Sequence, residues 1–409
     1  PDQYVGVTTY SGNGASSRSI PIGFQADLAW FKIRNDNYYN RLVDSVRGAG
    51  KTLMSDRTVD EQTETSGVLS FGYNDIKLGT DSAYNGTSSR DLVLWSWKAG
   101  GNKNTFNVDD VGYASAADVN MSVGALNSVS YNQTQTWSSG GGSGLYSGSN
   151  WTGTFDGTPA TTGSDIAQSA YVTNNGSSTL TFSTAISGVL KFKACQGSDS
   201  TSTGSSRPFV TLSNGIQIRV DAGNSSPGIL SFGSVSNITS LSINGTSAQG
   251  MNLIFLELDG KLLVDSGVTP PNVPSIANTG ASVGTKQGFS IIKWTGDGTN
   301  ANGTVPHGLL QAPSFIIVKA LTESSRHWLI WHKSFNDDAA MLFDTGTPAG
   351  SRFGPNAPTS NVFGVYGGQG NRGTTDFIGY SWHDVPGLQK FGKYSGSGNN
   401  DGTFVELGF

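Results

Sequence analysis

Apolar positions along this chain fall in short runs, not at helical spacing. DLAWFKI (27–33), FSIIKW (289–294), SFIIVKAL (314–321) and HWLIWH (327–332) are rich in Val, Ile, Phe and Trp and are bounded by small or polar residues, which is the pattern of β-strands. Two hairpins are signalled, FVTLS-NG-IQIRV around Asn214-Gly215 and NLIFLEL-DG-KLLVD around Asp259-Gly260, because a tight two-residue turn wants positive φ at both central positions. No amphipathic helix longer than about three turns is evident. The expected class is all-β: an array of β-sandwich domains of jelly-roll or lectin-like type, with a second type of β-sandwich inserted.

The same pattern occurs twice. YVGVTTYSGNG (4–14), FSIIKWTGDG (289–298) and LQKFGKYSGSG (388–398) each read as a strand, an aromatic residue and a Gly-x-Gly turn, and each leads to IPIGF (20–24), VPHGL (305–309) or VELGF (405–409). RDLVLWSW (90–97) and TDFIGYSW (375–382) form a second landmark, 87 residues after Tyr10 and 88 after Trp294 respectively. Matched spacing of two landmarks predicts a β-sandwich module A over 1–101 and its repeat A′ over 286–388. Between them, 102–150 reads as a Ser/Gly/Asn-rich linker or extended loop, 151–268 as an inserted sandwich B and 269–285 as a linker, while 389–409 reads as the start of a third repeat or a completing strand. Alternation puts apolar side chains on both faces of LVLWSW, so its tryptophans are expected in the core.

Composition narrows the function. Fifty-six glycines and 13% charged residues describe a turn-rich chain, and nine tryptophans argue for a folded one. A net charge of −5 without a basic cluster disfavours nucleic acid. Cys195 is the sole cysteine, so no intrachain disulfide forms. No apolar run reaches the roughly 20 residues that span a bilayer, so membrane insertion is not expected. Numbering from Pro1 leaves room for a removed leader segment.

The candidate catalytic motifs fail on their own terms. Gly50-Lys51-Thr52 suggests a phosphate loop, but the glycine required five positions before Gly50 is Ser45, and no helix pattern follows. GASVG (280–284) has the spacing of a nucleophile elbow around Ser282, yet it leads into a strand. His307, His327, His332 and His383 lack metal-ligand spacing, and adjacent acids such as Asp109-Asp110 and Asp337-Asp338 point apart on a strand. No catalytic, metal or cofactor residue is assigned, and no cofactor is expected. Trp137 and Trp151, set among Ser and Gly, are the candidate binding residues, with capping of domain B as their alternative role.

YSGNG, GFQADLAWFKIR, DSVRGAGKTLMSD and LVLWSWKAGG in A, with GFSIIKWTGDG, APSFIIVK and YSWHDVPGLQKFGKYSGSGNNDGTFVELGF in A′, resemble a module repeated in tail and other virion proteins of marine bacteriophages, especially those infecting cyanobacteria. FDGTPA (155–160) to FLELDGKLLVDSG (255–267) resembles the β-sandwich that interrupts them. The resemblance implies a non-enzymatic virion component on the particle exterior, most simply a tail fibre or adhesin that contacts a host surface glycan or protein. Such fibres commonly trimerise, so the partners implied are copies of itself and other virion proteins. The alternatives are a capsid decoration, tail-tube or filament subunit assembling by strand exchange, and a glycan-degrading tailspike. In the family, a Gly-Phe in this position leads into an apolar strand; here either the polypeptide is shortened, or its last strand pairs with the preceding domain or a neighbouring subunit.

Overall fold

The structure is a computed structural model that describes residues 3–86, 89–138, 144–270, 272–299, 302–336, 338–399 and 401–408. It is all-β, in layered sheets, as the alternation predicts. In chain order the first repeat supplies β1 (Val5–Ser11), β2 (Arg18–Pro21), β3 (Leu28–Ile33), β4 (Arg41–Asp44), β5 (Lys51–Thr52), β6 (Gln62–Thr63), β7 (Val68–Phe71), β8 (Asp75–Leu78) and β9 (Asp91–Trp97), then β10 (Phe106–Val108) and β11 (Val111–Tyr113). The insertion holds β12 (Tyr131–Asn132), β13 (Ala170–Val172), β14 (Ser177–Gln196), β15 (Phe209–Leu212), β16 (Gln217–Arg219), β17 (Gly228–Asn244), β18 (Met251–Leu258) and β19 (Lys261–Leu263). The second repeat supplies β20 (Asn278–Gly284), β21 (Phe289–Thr295), β22 (Gly303–Pro306), β23 (Phe315–Ala320), β24 (Leu329–His332), β25 (Ala339–Leu342), β26 (Pro348–Ser351), β27 (Val362–Val365) and β28 (Asp376–Trp382).

Two compact units result, one from residues 1–125 with 272–409 and one from Leu126–Pro271. In the first unit the repeat is visible as topology. One sheet runs β1-β9-β3-β4, and the other contains β21-β28-β23-β24 in the same order. The registers match as well: Val5 lies opposite Trp97 and Phe289 opposite Trp382, while Leu28 and Phe315 flank the same two tryptophans from the other side. Each large sheet is backed by a small one, β2-β8-β7 in the first repeat and β22-β27 in the second.

Three apolar layers follow from the strand alternation. Phe31, Val43, Ile76, Tyr84 and Leu94 fill the first repeat, and Ile292, Trp294, Val318, Phe363 and Phe377 fill the second. The opposite faces meet each other through Leu28, Leu42, Phe289, Ile317, Trp328, Tyr380 and Trp382. This third layer explains why LVLWSW is apolar on both faces, and why A and A′ form one unit instead of the two separate modules expected. Not every tryptophan is sealed in it, for Trp30, Trp95 and Trp97 are only half-buried.

The stretches expected to be linkers are partly strands. β10 and β11 form a hairpin through Asp109 and Asp110, both at positive φ (48° and 68°), and β10 pairs with β20. The backbone approaches closely here: a Cβ on Gly100, just after β9, would lie 2.5 Å from Asn107 O and from Val283 N of β20. Gly124 N–H donates to Pro274 O at 2.8 Å, so the two points where the insertion leaves and rejoins this unit are hydrogen-bonded neighbours.

In the inserted unit the sheet order is β12-β19-β18-β14-β17-β15-β16, with β13 also on β18. β14 and β17 are long and bulged, and Leu180 and Phe192, from opposite ends of β14, lie in one core. The Asp259-Gly260 turn has both residues at positive φ, as expected. At Asn214-Gly215 the loop is longer than expected: Leu212 and Ile216 pair, and only Gly215 has positive φ, the three-residue loop that ends in a left-handed glycine.

Residues 389–408 form no strand among the described residues. Gln389 donates to the carbonyls of Gln287, Gly288 and His383, and Phe391 stacks on Phe315 at 5.6 Å. Beyond that anchor Tyr394, Phe404, Val405 and Leu407 are exposed.

Candidate functional site

The reactive side chains singled out by sequence are engaged within the fold. Lys51 and Thr52 sit on β5, where Lys51 Nζ donates to Thr63 Oγ1 (2.9 Å) and Thr52 is buried against the Tyr84 hydroxyl. Gly50-Lys51-Thr52 is therefore the end of a turn and a two-residue strand, with the Lys51 N–H spent on Gly48 O. Ser282 is fully buried; its hydroxyl accepts from Gly100 N–H (2.9 Å) and donates to Gly101 O (2.8 Å). His307 is also buried: Nδ1 accepts from Leu309 N–H, so the proton resides on Nε2, which faces Thr359 O at 3.0 Å. Burial lowers its pKa to about 4, with His383 adding in the same direction and the Thr359 contact opposing. His327 meets Asp344 (2.8 Å) and His332 meets Ser334 (2.8 Å). The acids Asp109 and Asp110 go to different partners, Thr285 and Lys98, and Asp337 lies outside the described residues. Among the described residues no three His, Cys, Asp or Glu side chains group as metal ligands would.

Trp137 and Trp151, the candidate binding residues, are both buried in the inserted unit and offer no stacking face. Trp137 Nε1 donates to Asn132 O (2.9 Å) and its ring meets Phe182 edge-on, beneath a cleft of about 230 Å³. Trp151 opens a single helical turn capped by Asn150, donates to Ser178 Oγ and stacks on Phe155. Their Ser/Gly surroundings suggest exposure; what covers them is Phe182 of distant β14 for Trp137 and nearby Phe155 for Trp151.

Two buried ionic groups were not foreseen. Asp27 takes Ala99 N–H and Gly101 N–H on Oδ2 and Ser45 hydroxyl on Oδ1, clamping the turn after β9; burial raises its pKa against those bonds. Between the repeats, Asp44 accepts from Arg47 Nε (2.5 Å) and from Tyr380 hydroxyl (2.7 Å), and Arg47 also reaches Glu61 (3.3 Å). Desolvation works against the Arg47 charge, but Asp44, Tyr380 and Glu61 outweigh it, so Arg47 stays charged. These clusters are fully satisfied posts inside the fold, without access for a substrate.

The open part of the surface lies at the first repeat. A cleft of about 530 Å³ is bordered by Tyr4, Gly23, Gln25, Tyr73, Lys98 and Asp110. Lys98 Nζ pairs with Asp110 at 2.8 Å, Gln25 Nε2 is shielded from solvent without an acceptor, and Tyr73 is 89% exposed at the turn between β7 and β8. The second repeat is closed at the equivalent place. A Cβ on Gly308 would lie 2.5 Å from Met121 Cε and 3.0 Å from Val283 Cγ2, whereas one on the corresponding Gly23 would meet nothing within 4 Å. The cause is β20: it pairs with β21, while the equivalent edge of β1 has no strand beside it among the described residues.

Fold and site together define a duplicated, layered β domain interrupted by a second β unit. The chain belongs to the family described as domain of unknown function DUF7483, matched over residues 1–150 and 265–409, so the family's domain is the duplicated unit and most of the insertion lies outside it. No curated protein matches the chain. Among solved structures it is similar to a secreted serine protease, VesC from Vibrio cholerae, at 9% identity and a TM-score of 0.18, over 61% of this chain and 52% of that one. The chain thus spans about half the length of that protein, and a similarity at this level carries no statement about fold or chemistry.

Proposed function

We propose that this protein is a non-enzymatic component of a bacteriophage virion, a tail fibre or related adhesin that contacts the host cell surface from the particle exterior. The observation that carries the reading is the fate of its reactive side chains: Ser282, His307, Asp27 and Asp44 are each spent on internal hydrogen bonds. What the surface offers instead is low charge and aromatic rings on short turns, Tyr73 beside the cleft and Tyr39 with the Arg57 guanidinium 4.3 Å over its ring. Such rings supply contact area at small entropic cost, as recognition surfaces do. The resemblance of YSGNG, LVLWSWKAGG and YSWHDVPGLQKF to the phage virion module points the same way. The test is adsorption of labelled full-length protein to cyanobacterial host cells, with Tyr73→Ala alongside. Saturable adsorption weakened by Tyr73→Ala is expected; no adsorption to any strain the phage infects would remove the adhesin reading.

A second reading, a virion structural subunit that assembles with copies of itself by strand exchange, is favoured by one specific pairing of features. Among the described residues the edge of β1 has no strand beside it, and the tail carries exposed apolar residues outside any strand. Electron microscopy of particles labelled on this chain separates the two: a distal location fits the adhesin, regular copies along a shaft or shell fit the subunit.

A further inference from the structure

We infer that the cleft at the bend of β14, in the inserted unit, binds one neutral sugar residue of a host-surface glycan, and that the rest of the glycan lies along the uncharged outer face of β14 and β17. This names the ligand class behind the host-contact reading and rests on that reading; strand exchange does not bear on it.

The cleft exists because β14 breaks its ladder. Pairing with β17 runs from Ser177 to Thr181 and resumes only at Ile186, so residues 182–185 have no partner on that strand. The Gln135 amide fills the gap as a backbone would: Oε1 accepts Thr184 N–H (3.1 Å) and the Ser183 hydroxyl (2.7 Å), and Nε2 donates to Thr184 O (3.2 Å). This ties the 132–137 segment to the bulge and leaves the cleft of about 230 Å³ between them, over the buried Trp137. Sites for drug-sized molecules run from about 300 Å³ upward, so this one takes a single ring. Its polar rim, Asn132, Thr134, Gln135, Thr184 and Ser187, carries no charge. Ser187 Oγ accepts from Asn237 N–H at 2.9 Å and keeps its own proton to give. Asn132 Oδ1 takes the Thr134 hydroxyl at 2.8 Å, which leaves the amide nitrogen as a donor, and Thr184 Oγ1 has no hydrogen-bond partner among the described residues. A hydroxyl both donates and accepts, so a sugar matches a rim that offers both. A charged ligand would meet no opposite charge there to offset its lost hydration.

The surface leading from the cleft has the same character. No residue is charged from Ser177 to Ser187 on β14, or from Ser236 to Asn244 on β17. Ser177, Thr179 and Thr181 stand opposite Asn244, Ser242 and Ser240, and the hydroxyls of Thr179 and Ser242 are 2.7 Å apart. Alternation turns this row outward, because Leu180 and Leu241 between its members lie in the core. Charge returns at the other end of β14, where Lys191 meets Glu257 at 3.5 Å. The strand thus divides into a charged half and a hydroxyl-bearing half, and the cleft lies on the second. A glycan held by one ring in the cleft continues over side chains that exchange hydrogen bonds with its own hydroxyls.

The experiment titrates the full chain, by magnetic resonance and calorimetry, with methyl glycosides of glucose, galactose and mannose, then with the neutral and acidic polysaccharide fractions of host envelopes. A neutral probe is expected to bind with an affinity that changes less than about twofold between about 50 and about 500 mM salt. Thr184→Val keeps the shape and loses the hydroxyl, and should weaken binding about 5- to 10-fold. Ala185→Arg sets a long charged side chain at the cleft and should abolish it. Both positions are exposed, so urea unfolding of the two variants is expected to match that of the parent. Binding that survives both substitutions would overturn this cleft as the site. Preference for the acidic fraction, with steep salt dependence, would overturn the ligand class. Adsorption to host cells without binding of any saccharide probe would overturn the inference and leave the host-contact reading standing. Saccharide binding in the cleft without adsorption would support the site and remove the host-contact reading.

Discussion

Acidification should destabilise the duplicated unit through His307. Its imidazole is buried at the end of β22 and neutral, with Nδ1 accepting from Leu309 and Nε2–H facing Thr359 O. In the unfolded chain it takes up a proton near its ordinary value of 6.5; in the folded chain it resists until about pH 4. The unfolded state therefore binds more protons between these limits, so the stabilisation is complete above pH 6.5 and is lost progressively as pH falls towards 4. The gap of about 2.5 pH units corresponds to about 3 kcal/mol, most of it gone by about pH 4.5. Urea unfolding across this range should show stability falling by up to about 1.4 kcal/mol per pH unit, and His307→Gln, which keeps an acceptor and a donor, should flatten that slope. Nuclear magnetic resonance gives the direct check on the folded protein. A ring signal of His307 titrating near 6.5, or an unchanged slope in His307→Gln, would refute the reasoning.

Other consequences can be measured separately. Tyr380→Phe removes the donor to the buried Asp44 and should cost about 1.5–3 kcal/mol in denaturant unfolding, while Arg47→Met, which strands that carboxylate, should cost about 3–5 kcal/mol. Trp137→Ala or Trp151→Ala should lower the stability of the inserted unit by about 3–5 kcal/mol, and Trp151→Ala should leave adsorption to cells unchanged at temperatures where that unit stays folded. Cys195 is sealed, and burial raises its thiol pKa to about 11, so at pH 8 only about one molecule in a thousand is thiolate. A disulfide reagent should accordingly label native protein slowly and react at once after the inserted unit is unfolded in urea.

Much of the fold was legible because the duplicated strands are long enough to declare their alternation. LVLWSW and FIGYSW announced both a shared position and two buried faces, and the structure gives both faces a partner. β20 was not legible. Its Asn, Gly, Ala and Ser are what a linker contains, and Val283 is its one large apolar residue. The hairpin of β10 and β11 was hidden for a related reason, since three-residue strands carry too little pattern to outweigh their Asn and Asp. β1 and β21 look alike in sequence, and what distinguishes them is β20, the segment just before β21 whose strand character its small residues hide. The Ser and Gly beside Trp137 and Trp151 say little about their burial, which Phe182 on β14 completes for one and Phe155 for the other.

The hydrogen bond from Gly124 to Pro274 turns the duplicated unit into a socket. Whatever is spliced there leaves and returns through adjacent doorways, so a guest whose own ends lie close together can be exchanged without disturbing the host's strand register. A lineage could in this way keep one scaffold while trading the passenger it displays, and an engineer could do the same with a domain of choice.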